Sequence, residues 1–117
     1  MSEKIKLFTK ILKAELEDLE DDIESWSQFL DEKRKAEKVT EYVFMENSGL
    51  LRQELMSVKT IVDSLSKVSQ TELPNIEAIR DYFLKTLKDE VKKFQFPEAI
   101  MVFVTRKVDK VYTYLKV

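Results

Sequence analysis

Seven carboxylates crowd into the ten residues ELEDLEDDIE, where Glu15, Glu17, Asp18, Glu20, Asp21, Asp22 and Glu24 stand. Oxygen ligands of this kind suit Mg²⁺ and Ca²⁺. On a helix, Glu17 shares a face with Glu20 and Asp21, the arrangement two carboxylates need to chelate one ion. A working metal centre in a helical bundle needs more: carboxylates projecting inward from facing helices, joined by histidine in the di-iron proteins. The chain has no histidine. The run therefore reads first as a solvated face opposite Leu16, Leu19 and Ile23. A carboxylate metal site or metal-dependent hydrolase built on residues 15–24 is kept as an alternative function.

The small all-helical nucleotide pyrophosphohydrolases combine an ExxE element with a second acidic pair on the next helix, and Glu17 with Glu20 resembles only the first half of that pattern. Other chemistries lack their parts. A serine nucleophile needs a base beside it, usually histidine. With no cysteine there is no thiol nucleophile, disulfide or thiolate metal site, and a single glycine cannot build a phosphate-cradling loop. We therefore expect a protein that is not an enzyme, with no catalytic residue, cofactor, metal or small-molecule ligand evident.

Basic residues gather at Lys33, Arg34, Lys35 and Lys38, at Lys85, Lys88, Lys92 and Lys93, and at Arg106, Lys107 and Lys110. Before Pro74 the chain carries 11 bases against 16 acids, and from Pro74 onward nine against six, so the two halves have opposite net charge. They complement one another. With Asp81, Asp89 and Glu90 interleaved among the later bases and a whole-chain charge of −2, no unopposed field points to nucleic acid. The longest apolar run, Ala99 to Val104, is far short of the roughly 20 residues that span a bilayer. Lys4, Lys6, Lys10 and Lys13 beside Ile5, Phe8 and Leu12 could lie on a membrane surface, but the same stripe continues to Leu30 and reads better as core. The first 13 residues also lack the continuous apolar region of a secretory signal. No membrane partner is expected, and a cysteine-free chain fits a cytoplasmic location.

Aromatic residues concentrate late in the chain. In FQFPEAIMVF the apolar residues occupy more than one helix face, which marks either an all-round-buried helix or an interface. Phe94, Phe96, Ile100, Met101 and Phe103 are the candidate interface residues. Met45, Met56 and Met101 would suit an adaptable groove for a partner's helix.

The elements that must position these groups are helices. One glycine and two prolines in 117 residues leave little material for tight turns. The stripe Ile5, Phe8, Leu12, Leu16, Leu19, Ile23, Trp26, Leu30 predicts a first helix, with Ser2 as its cap. A second stripe, Val39, Val43, Leu51, Leu55, Val58, Val62 and Leu65, resumes about half a turn out of phase. That predicts a break near Asp31 to Lys35, with Asp31 as a cap, and a long scaffold helix over 39–68. Asn47-Ser48-Gly49 offers a joint inside this helix, although an isolated glycine is tolerated at a cost of about 1 kcal/mol. After the polar stretch from Ser69 to Leu73, Pro74 is expected in the first turn of a third helix carrying Ile76, Ile79, Phe83, Leu87, Val91 and Phe94. Pro97 starts a fourth element in the same way. Its residues Ile100, Val104, Val108, Val111 and Leu115 suit a helix. A C-terminal β-hairpin is the alternative, since IMVFVT and VYTYLKV are rich in strand formers.

The expectation is one all-α domain over residues 1–117, an antiparallel bundle of three to four helices with one long scaffold helix. Its expected function is protein–protein interaction, first as a homodimer. The alternative is an assembly or secretion chaperone or adaptor holding a partner's amphipathic helix.

Overall fold

The first apolar stripe winds into α1 (Glu3–Lys35), 33 residues long in the computed structural model, which describes residues 3–65, 67 and 73–116. Three further helices follow: α2 (Glu41–Leu65), α3 (Ile76–Phe94) and α4 (Glu98–Leu115). The described residues contain no strand. The last element is helical because Ile100, Val104, Val108, Val111 and Leu115 all turn into the core, a spacing that only a helix puts on one face. Ser2, Val68 and residues 69–72, on which the sequence places the first cap, the end of the second stripe and most of the connecting stretch, lie outside the described residues.

The helices alternate in direction, forming an antiparallel four-helix bundle. Lys59 of α2 meets Glu20 of α1 at 3.4 Å, Lys107 of α4 meets Glu15 of α1 at 2.8 Å, and Tyr112 of α4 donates to Glu77 of α3 at 3.3 Å. One core runs through all four. Ile5, Phe8, Leu12, Leu16, Leu19 and Ile23 from α1 meet Val58, Ile61 and Leu65, then Ile79, Phe83 and Leu87, and the α4 stripe. Phe8 and Phe83 face each other with ring centroids 5.6 Å apart. Each such side chain contributes about 1.5–3 kcal/mol by leaving water.

Four expectations need correction. The first helix does not break between Asp31 and Lys35 but runs through that segment. It ends in a turn where the Glu37 amide donates to Arg34 O at 3.0 Å and the Lys38 amide to Lys33 O at 2.9 Å. Glu37 there adopts the left-handed conformation, with φ 59°, a position that glycine usually fills. Asp31 caps nothing; its carboxylate holds Arg34 at 2.8 Å and Lys35 at 3.2 Å. The cap of α2 is Thr40, whose Oγ1 accepts from the Val43 amide at 3.1 Å.

The longest helix is consequently α1, and α2 has 25 residues. It passes through Gly49 without a break, because no residue of the Asn47-Ser48-Gly49 tripeptide leaves helical geometry. Finally, Pro74 stands before α3 rather than inside its first turn. Asn75 is the cap, accepting from the Ala78 amide at 2.8 Å, and a side-chain acceptor satisfies that orphan donor better than proline can.

Candidate interaction surface

Helix lengths set up the surface. At about 1.5 Å per residue, the 33 residues of α1 extend about 50 Å, whereas α3 and α4, with 19 and 18 residues, each extend about 28 Å. The molecule measures 54 Å in its longest dimension. The free ends of α1 and α2 therefore project beyond the α3–α4 turn as a two-helix arm. Between residues 24 and 53 no side chain is fully buried.

The arm holds together along its inner seam, where Leu30 and Leu51 are half-buried and Arg34 stacks over the Phe44 ring at 4.2 Å. Its outer apolar residues lie in register with the faces that α3 and α4 cover elsewhere. On α1 the side toward α4 is marked by Glu15; steps of seven and then three or four residues lead to Asp22, Trp26, Phe29 and Lys33. On α2 the buried residues Ile61, Ser57 and Glu54 lead by the same steps to Leu50 and Val43. Trp26 is 62% exposed, Phe29 48%, Leu50 46% and Val43 40%. Trp26 and Phe29 meet edge to face at 5.8 Å, and Lys33 lies over the Phe29 ring at 5.1 Å. Asp22, Ser25, Trp26 and Phe29 line a shallow concavity on this face.

The five residues singled out from sequence do not form one patch. Ile100 has no exposed surface and belongs to the core, because it falls on the inward stripe of α4. Phe96, Met101 and Phe103 are half-buried against that core. Phe94 alone is largely exposed, stacked on Phe96 with centroids 5.4 Å apart. It sits at the α3–α4 turn, at the root of the arm, where Gln95 takes a left-handed φ of 55° and the Phe96 amide donates to Val91 O at 3.1 Å. Sequence reasoning placed Trp26 and Leu30 on the core stripe. The one available signal against that placement was the length of the stripe, which outruns either later helix.

The acidic run is divided between faces. Glu15 accepts from Lys107 at 2.8 Å and Lys110 at 2.7 Å. These hydrogen bonds, Lys107 first, hold its carboxyl below the usual range despite partial burial. Glu20 meets Lys59, while Glu17, Asp18, Asp21, Asp22 and Glu24 face water. Among the described residues no three Asp, Glu, His or Cys side chains converge as a metal would need. The charge difference between the two halves is expressed where Glu15 meets the two α4 lysines. On α2, Glu54 is only 8% exposed, and burial pushes its carboxyl up.

A cleft opens into the bundle between α2 and α3. Its walls include Ile61, Leu65, Tyr82, Phe83 and Leu87, and it encloses about 20 Å³, room for one water rather than a substrate. Ser64 Oγ donates to Glu90 Oε1 at 2.6 Å across it, leaving Glu90 Oε2 buried without a partner. No helix among the described residues is long and apolar enough to cross a membrane. No family model matches the chain, and comparison with curated proteins and with solved structures found no similar protein.

Proposed function

We propose that this protein works by binding protein rather than by chemistry, and that the open face of the arm is the surface it binds with. One observation carries the reading. The face of α1 and α2 that α3 and α4 cover along one half of the molecule continues along the other half, apolar and uncovered, through Trp26, Phe29, Leu50 and Val43. Clustered exposed apolar side chains of this size mark interaction sites. The composition agrees, since a chain without histidine or cysteine has no thiol nucleophile and no imidazole base. A cysteine-free chain is also at home in a reducing compartment, and we place it in the cytoplasm.

A second reading, an adaptor that holds a partner's amphipathic helix, draws support from Met45 and Met56. Both lie on α2 and are 68% and 63% exposed, and flexible thioethers adapt to varied helix faces. In-cell photo-crosslinking tests the binding reading. A benzoylphenylalanine at position 29 should couple to polypeptide. The same group at Tyr114, which is 71% exposed on the covered half of the molecule, should give little product. Equal yields at the two positions would overturn the assignment of the binding surface to the arm.

A further inference from the structure

We infer that the occupant of the arm is the arm of a second copy of this chain, packed antiparallel so that the two hairpins complete a four-helix bundle. This rests on the reading of the arm as a binding surface.

Geometry restricts the choice. Two identical faces that cover each other are related by a two-fold axis lying in the contact plane. If that axis ran along the arms, the arms would be parallel. Both α3–α4 pairs would then compete for the same space above the covered half. If it runs across the arms, each arm enters the volume beyond the other's α3–α4 turn. Helix α1 then lies against its own copy in the opposite direction, α2 does likewise, and each tip ends near the partner turn where Phe94 is exposed.

The charges of α1 suit this arrangement and no parallel one. On the open face itself α1 carries Asp22, exposed, at its root and Lys33 at its tip. An antiparallel pairing of α1 with itself brings Asp22 to the other copy's Lys33 twice, whereas a parallel pairing sets like against like. Such complementarity fixes register and raises the association rate. The uncovered face is about 20 Å long and about two helices, or 20 Å, wide. With side-chain relief, the two copies together bury roughly 1,000 Å², the lower bound for a specific interface. An interface of this size suits a weak, reversible dimer.

Sedimentation equilibrium tests the pairing. The wild-type chain should dimerise reversibly. Reversing the root with Asp22→Lys, or the tip with Lys33→Glu, should weaken self-association roughly tenfold. Each variant should keep its helical circular dichroism. An equimolar mixture of the two should recover a heterodimer, because each reversed root then faces a reversed tip. A rescue of this kind separates pairing from misfolding.

A wild-type chain that stays monomeric at hundreds of micromolar, or a mixture that associates no better than either variant alone, would overturn the inference. Coupling at position 29 to a different polypeptide, with the chain monomeric, would sink the second copy and leave the binding reading standing. Absence of any polypeptide product at position 29 would sink both.

Discussion

Replacing Gly49 with alanine should stabilise the protein, and the gain can be estimated from the structure. Gly49 lies within α2, and its φ is outside the left-handed region. A Cβ built on it meets no atom within 4 Å. The substitution therefore meets no steric cost and only narrows the unfolded ensemble, which contributes about 0.4–1 kcal/mol. With an unfolding entropy of about 2.1 cal/mol/K per residue over 117 residues, a gain near the top of that range raises the midpoint by about 3–4 °C. Thermal unfolding followed by circular dichroism reads the change. Since no side chain from residue 24 to 53 is fully buried, the arm should also open before the bundle does. Hydrogen exchange of amides around position 49 should slow by up to about fivefold. A lower midpoint together with unchanged or faster exchange would refute the reasoning, because alanine could be unfavourable here only if the helix were interrupted at this point.

Phe8→Ala removes a fully buried ring packed on Phe83 and should cost about 3–5 kcal/mol in urea unfolding, whereas Trp26→Ala, at a site 62% exposed, should cost less than about 1 kcal/mol to the monomer. Glu37→Gly relieves a left-handed residue in the turn after α1 and should stabilise by about 0.5–1 kcal/mol, visible as a higher urea midpoint with an unchanged slope. Glu15→Gln weakens the contacts with Lys107 and Lys110 and should cost about 1 kcal/mol at neutral pH, a figure discounted for the exposure of Lys110. Because the lysines lower the folded pKa of Glu15, its contribution is present above the unfolded value and lost as pH falls through the folded one, so the two proteins should converge in strong acid. Glu54 has the opposite sign: burial raises its folded pKa, so ionisation destabilises the fold as pH rises, and Glu54→Gln should raise the melting temperature at pH 7 more than at pH 4.

What could be read from the residues alone depended on whether the physics was local. The four helices and most core positions were legible because a 3.6-residue apolar period commits one face of a helix to burial. The α4 stripe behaved so consistently that β-branched residues such as Val104, Val108 and Val111 did not divert it into strands. The first turn was misplaced because its left-handed position is occupied by Glu37 rather than glycine. The backbone bonds at Lys33 and Arg34 leave no mark in composition. The acidic run likewise gave no hint that Glu15, alone of its seven carboxylates, would be claimed by α4.

The candidate surface was the part least accessible from sequence. Amphipathic periodicity states which side of a helix is apolar; it does not state whether another element reaches that side. Leu16 and Trp26 lie on the same long stripe of α1, yet Leu16 is fully buried and Trp26 is 62% exposed. The difference arises because α3 and α4 are too short to follow α1 to its end. By itself the sequence determined the helical class, the faces of the helices and the absence of histidine and cysteine chemistry, all of them properties of single residues or of neighbours one turn apart. Where the turns fall in space, which stretch of each apolar face is covered, and the existence of an arm with an open side were decided by the relative lengths and packing of helices distant in the chain, and only the tertiary structure holds those.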